Sequence, residues 1–316
     1  MLLALIIVAW LIAALAIGAA LLARPPAPPT AAEAPPRELE LELDLDLAQR
    51  APAIIRAPSR ARRPGVVLVH GVLGFDQLGV GKVRVDYFRG IAAKLEQAGL
   101  EVITTRTSPL GSIPTRGAQL ARALDELPND RLVLIGHSMG GLDARWALAR
   151  EGVAPRVAAL LTVGTPHRGT PICDLLAMRP LHLARRTIAK LGLSSDAVDW
   201  MTTHRLAALN AELGDVVGVR YASILAATHD RGRVHPLLRA SHAYLARTHG
   251  PSDGLVPRSS QIWGEIVGEE ELDHWAQQGW STQHDAAAML LRALTRLDAL
   301  LPRATTQPLL PAAAIG

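Results

Sequence analysis

The sequence predicts an α/β fold in which a mostly parallel sheet is covered by helices on both faces. Three observations carry that expectation. Short apolar runs alternate with helical stretches from Val66 onward, the pattern of βαβ units. The run Leu132–Gly141 passes from an apolar segment through a glycine-rich turn straight into a helix-forming stretch. Residues 51–303 give about 250 residues, ample for one α/β core.

Taken in order, Leu2–Ala23 is uncharged and apolar. About 22 helical residues at ~1.5 Å each reach roughly 33 Å, a bilayer's hydrocarbon core. No Lys or Arg precedes the run, and the segment Ala20–Arg24 is a poor cleavage site, so residues 1–23 are read as an uncleaved membrane anchor rather than a signal peptide. Arg24 and Arg37 on its C-terminal side favour a cytoplasmic catalytic domain by the positive-inside rule. Residues 24–50 form a linker segment: prolines between Arg24 and Pro36 dictate extended geometry, and Glu38–Leu47 alternates acid and leucine with period two, as in an edge strand with one wet face. Strands are then expected at Val66–Val69, Glu101–Thr105, Leu132–Ile135 and Val157–Val163. Helices are expected at Tyr87–Ala98, Thr115–Leu127 and Met139–Arg150.

Strand patterning disappears over residues 170–215, where helical stretches such as Leu181–Leu191 and Trp200–Leu213 suggest a cap over a cleft, either a gating lid or a fixed lid-like layer. A last helix is expected over Ser281–Leu301, and residues 304–316 read as a loose tail.

Composition narrows the function. Lys and Arg number 33 against 29 Asp and Glu, a net charge of +4 that makes no case for nucleic-acid binding. Cys173 is the single cysteine, so no intrachain disulfide can form; with no histidine assignable to it, it reads as a small buried hydrophobe.

The chemistry centres on Gly136-His137-Ser138-Met139-Gly140. A serine on a tight strand-to-helix turn must take strained backbone angles, and flanking glycines remove the Cβ atoms that would clash. Upstream, Gly65–Asp76 is an apolar strand running into a glycine-broken loop suited to placing a backbone N–H beside the serine. Downstream lie Asp253 within Pro251–Pro257 and His274 within Leu272–Trp275. The chain order Ser138, Asp253, His274 is that of a nucleophile followed by its acid and base. In such a set His274 takes the serine proton, and Asp253 fixes the imidazole tautomer.

Rivals are weaker. His70, His137 and His167 occupy motif positions that shape loops, and His284 falls inside the expected last helix. His235 and His242 lack partners at metal-ligand spacing. Asp273 neighbours His274, but adjacent side chains diverge.

The segments VLVHGVLGFD, VDYFRGI, IGHSMGG, VGTPHRGT, SDGLVP and DHW resemble the bacterial true lipases of the Pseudomonas and Burkholderia type, a triacylglycerol lipase family within the α/β-hydrolase superfamily. The resemblance covers roughly Pro64–Trp280, strongly around Ser138 and weakly in the middle. It implies the α/β-hydrolase fold, hydrolysis of lipid or other acyl esters, an extracytoplasmic catalytic domain, and the backbone N–H groups of Val72 and Met139 as the oxyanion hole. Two features of those lipases do not carry over. Ala276 and Trp280 stand where a calcium site would need an aspartate and a glutamine, and their disulfide has no counterpart here. No metal or cofactor is therefore expected, and the partners are an acyl-ester substrate and a membrane through the N-terminal helix. A thioesterase or acyltransferase would need the same triad, and a non-catalytic membrane-tethered binding protein is the alternative from another class.

Overall fold

A computed structural model describes residues 65–72, 77–80, 83–129, 131–178, 196–281 and 283–300. The membrane-anchor, linker and acidic-strand expectations, the helix expected at Leu181–Leu191 and the tail at 304–316 lie outside the described residues. Among the described residues no helix is long and apolar enough to cross a membrane.

In chain order the elements are β1 (Gly65–Val69), β2 (Gln77–Val80), β3 (Val83–Asp86), α1 (Ile91–Gln97), β4 (Val102–Thr104), α2 (Ile113–Asp125), β5 (Leu132–His137) and α3 (Met139–Arg150). There follow β6 (Val157–Val163), α4 (Pro171–Ala177), α5 (Asp196–Trp200), α6 (Thr203–Glu212), β7 (Arg220–Ala226), α7 (Arg239–Thr248), β8 (Glu265–Glu270) and α8 (Ala286–Leu300). Six strands form one sheet in the order β4-β1-β5-β6-β7-β8, every neighbouring pair parallel.

Both faces of that sheet are covered, which is why its central strands read as continuous apolar runs rather than as alternation. All residues of β1, β5 and β6 are buried. Along β1 the pleat divides the core in two: Val66 and Leu68 pack with α1 and α8 on one side, Val67 and Val69 with α2 and α3 on the other. Each such side chain contributes about 1.5–3 kcal/mol by leaving water. α2 starts at Ile113 because Ser112 Oγ accepts the Thr115 N–H and a proline occupies its first turn.

The structure corrects several boundaries. Tyr87 and Phe88 belong to a buried turn before α1 rather than to the helix. The antiparallel hairpin β2–β3, helix α7 and edge strand β8 were not expected. β8 carries Glu265, Glu269 and Glu270, whose charges mask its strand character. The last helix starts at Ala286, so His284 precedes it instead of lying inside it.

The described part of the cap is tied down. Thr170 donates its N–H to Met201 O, and both the N–H and the hydroxyl of Thr203 donate to Asp174. An apolar cluster of Ile113, Met139, Leu142, Cys173, Leu206 and Leu209 joins α4 and α6 to the start of α3. Cys173 is thus a buried member of the core under the cap.

Candidate active site

β5 delivers its chain into α3 with one residue, Ser138, at the junction. Its backbone takes φ 54° and ψ −131°, the one positive-φ non-glycine among the described residues. Such a conformation costs on the order of 1–3 kcal/mol and persists only where its surroundings over-determine it. They do so by steric exclusion. A Cβ at Gly136 would lie 2.5 Å from Gly141 Cα, and one at Gly140 would lie 2.3 Å from Val69 O. Ser138 N–H also donates to Val163 O (2.9 Å), tying the turn to β6.

The loop after β1 runs against the same turn. A Cβ at Gly71 would stand 2.7 Å from Ser138 Cβ, so the following amide, that of Val72, belongs to the serine's immediate surroundings. Met139 N–H sits at the N-terminus of α3, where the helix dipole favours negative charge. This loop is heavily braced. Arg116 and Asp143 form a fully buried ion pair (2.7 Å), and Arg116 also donates to His70 O (2.8 Å) and Ser108 O (2.5 Å). Thr107 N–H donates to His70 Nε2 (3.1 Å), which leaves Nδ1–H of that ring to donate to Gly71 O (2.9 Å). Burial holds His70 neutral, with its pKa lowered to about 4, and drives His137 and His167 well below the ordinary histidine range. Burial also pushes Asp143 up to about 6, outweighing the pull of Arg116.

Asp253, in the loop after α7, and His274, in the loop after β8, meet directly. His274 Nδ1–H donates to Asp253 Oδ2 (2.7 Å), and His274 N–H donates to Asp253 O (2.8 Å). The remaining carboxylate oxygen, Oδ1, accepts Leu255 N–H (2.9 Å) and Val256 N–H (2.7 Å), while Gln277 Nε2–H adds a second donor to Oδ2 (2.9 Å). A fully buried carboxylate with four N–H donors is fixed in one orientation. The rings of His274 and His137 are 4.7 Å apart, which sets His274 beside the residue preceding Ser138. Among the described residues no hydrogen bond joins Ser138 Oγ to His274, a contact that often tightens only when substrate is bound.

Of the five residues expected at the site, Asp253 and His274 are joined directly, His274 packs on His137 next to Ser138, and Val72 and Met139 follow Gly71 and Ser138 in the chain. The rivals are spoken for. Asp273 caps the turn after His274 by accepting Trp275 N–H and Ala276 N–H, and it accepts His235 N–H (2.6 Å). His242 faces Thr228 O (2.8 Å). The donor set does not fit calcium: Ala276 is buried and offers no oxygen in its side chain, and the Trp280 indole donates to Tyr87 O (3.0 Å). Sequence reasoning missed Gln277, Tyr87 and the Arg116–Asp143 pair. Tyr87 lies within VDYFRGI, whereas Gln277 carries no signal of its own.

Residues 64–237 match the family model for the alpha/beta hydrolase fold. A triacylglycerol lipase of Pseudomonas fragi is 27% identical over 260 residues, covering 66% of this chain and 85% of that protein. A triacylglycerol lipase of Burkholderia plantarii is 38% identical over 134 residues, covering 40% of this chain and 36% of that protein. Among solved structures, a metagenomic carboxyl esterase is similar in fold with a TM-score of 0.63 at 24% identity, covering 80% of this chain and 81% of that one. The mature Bacillus licheniformis lipase BlEst2 is similar with a TM-score of 0.59 at 21% identity, covering 74% and 91%. The chain belongs to the α/β-hydrolase family.

Proposed function

We propose that this carboxylic ester hydrolase works as a serine hydrolase on lipid-like acyl esters. Ser138 is the nucleophile, His274 the general base and then the general acid, and Asp253 the carboxylate that orients it. The observation that carries the reading is a strained serine at a strand-to-helix turn with a buried, hydrogen-bonded Asp253–His274 pair whose imidazole packs on the adjoining His137. His274 Nε2 removes the Ser138 proton as Oγ attacks the ester carbonyl. Negative charge then developing on the carbonyl oxygen is met by the N–H groups of Val72 and Met139. One such donor is worth ~2.7–4 kcal/mol of transition-state stabilisation. His274 returns the proton to the departing alcohol, leaving an acyl group on Ser138, and water activated by the same base releases the acid. The apolar cluster beneath the cap borders Met139 and Val72, which suits an acyl chain rather than a charged substrate. Leu2–Ala23, uncharged over a bilayer-spanning length, would tether the domain to the membrane where such esters reside.

A fluorophosphonate probe tests the chemistry. The chain is expected to be labelled covalently and Ser138→Ala to be inert; labelling of the alanine variant would refute the assignment. p-Nitrophenyl esters from acetate to palmitate then read the acyl preference, which is expected to favour the longer chains.

A further inference from the structure

Two buried polar atoms near the Asp253–His274 pair have no hydrogen-bond partner among the described residues: His137 Nε2 and Gln277 Oε1. Each belongs to a side chain whose other end is engaged. Tyr87 Oη accepts Gly71 N–H (3.1 Å) and shares a hydrogen bond with His137 Nδ1 (2.8 Å). With the Tyr87 hydrogen assigned to that bond, the His137 proton is placed on Nε2. Gln277 Nε2–H is committed to Asp253 Oδ2 (2.9 Å), so Oε1 is left as an acceptor. The His274 backbone and the Gln277 side chain are the polar groups beside the His137 ring. Space is reserved for it: a Cβ at Gly164 would lie 2.2 Å from Gln277 Oε1 and 3.1 Å from Asp253 Oδ2. Gly164 follows Val163, the register partner of His137 across β5 and β6.

We propose that Gln277 is a positioning residue of this active site. Its amide clamps the Asp253 carboxylate in the orientation that receives His274 Nδ1–H. Its oxygen pairs with His137 Nε2–H and so joins the acid–base pair to Tyr87 and the Gly71–Val72 turn. Hydrogen bonds flank that pairing on both sides, Gln277 to Asp253 and Tyr87 to His137 and Gly71, so it would link the two halves of the site. A neutral amide suits the place. It supplies a donor to a buried carboxylate without adding charge, whereas an acid there would set two carboxylates side by side. At 2% exposure Gln277 cannot be replaced by bulk water.

The proposal rests on the serine-hydrolase reading, and the test separates the two. In the full chain, Gln277→Met keeps the volume and removes both polar ends. Its kcat is expected to fall roughly 10- to 100-fold, the range for removing an outer hydrogen-bonding partner of a working side chain, with KM unchanged. Stripped of one donor, Asp253 holds the imidazolium more tightly, so the low-pH edge of kcat/KM and of the labelling rate moves up by about 0.5–1 unit. Gln277→Glu moves it further, because it adds negative charge. Tyr87→Phe combined with Gln277→Met is expected to cost less than the two separate losses together, since both cut one chain. A merely structural role predicts a lower Tm with kcat per folded molecule and the low-pH edge unmoved; that result, a downward shift, or strict additivity with Tyr87→Phe overturns the proposal. Failure of the wild-type chain to label at Ser138 overturns the serine reading instead.

Discussion

The two halves of the site are built from different materials. At the elbow, Ser138 is forced to φ 54° by close backbone packing: Gly136 and Gly140 face main-chain atoms at distances no Cβ could occupy. Far along the chain, beyond the cap and the last two strands' approach, Asp253, His274 and Gln277 are placed by hydrogen bonds that converge on one buried carboxylate. The elbow's requirement is steric, and the serine and its two glycines fall within five consecutive residues. The acid–base half is polar and non-local, and its members reveal their roles only after the chain has folded. The first half should therefore fail as a fold, and the second as chemistry.

Asp253→Asn is the largest expected effect and tests that division on the polar side. An amide in this position presents N–H either to the Leu255 and Val256 donors or to His274, and the second arrangement selects the wrong imidazole tautomer. Loss of kcat by about four orders of magnitude is expected, with a smaller loss of stability of ~1–3 kcal/mol from the mismatched donor. Steady-state kinetics and thermal melts on the same preparation check it. A variant that unfolds while its folded fraction keeps wild-type kcat would break the comparison.

That division also explains which features are legible in the amino-acid sequence. The strand-to-helix turn at Leu132–Arg150 is legible because hydrophobic run, glycines and helix follow one another without interruption. Asp253 and His274 are legible through chain order and the turn around Gly254, but their contact rests on pairing across the sheet's end. The hairpin Gln77–Asp86 and strand Glu265–Glu270 escape such a reading, the second because exposure on one face lets glutamates replace the apolar residues that signal a strand. Gln277 is invisible because a glutamine two residues past a tryptophan has no periodicity to betray burial. Arg116 is invisible for a related reason: a charged residue in a helix is read as solvated, and here it is fully buried against Asp143.

Arg116→Leu sharpens the comparison from the elbow side. The substitution strands Asp143 as a buried charge and leaves the carbonyls of His70 and Ser108 without their donor. Urea unfolding is expected to show a loss of about 3–5 kcal/mol. Adding Asp143→Leu should recover most of it, since a buried pair replaced by packed apolar groups is often neutral in stability. Because the pair braces the Gly71–Val72 loop, the double variant should remain folded yet hydrolyse esters more slowly. Recovery of full activity along with stability would show that the brace serves the fold alone.

The smallest effect concerns pH, where the charges around the elbow oppose one another. His70 titrates near 4 in the folded chain and near 6.5 when unfolded, so between those values the unfolded chain takes a proton that the folded one refuses. Its contribution to stability is present above pH ~6.5 and lost on descending to ~4, roughly 3 kcal/mol in all. Asp143 acts with the opposite sign. Its folded value of about 6 exceeds the ordinary 3.8, so the folded chain protonates first and gains stability over nearly the same window. These two largely offset each other. The net slope then belongs to His137 and His167, both held neutral by burial and both losing stability as pH falls through 6.5. Thermal melts at pH 7 and pH 5 are expected to show a lower Tm at the acid end. His167→Gln should flatten that dependence without touching the Asp253–His274 pair. A flat wild-type profile would mean that the buried histidines are not what sets acid stability.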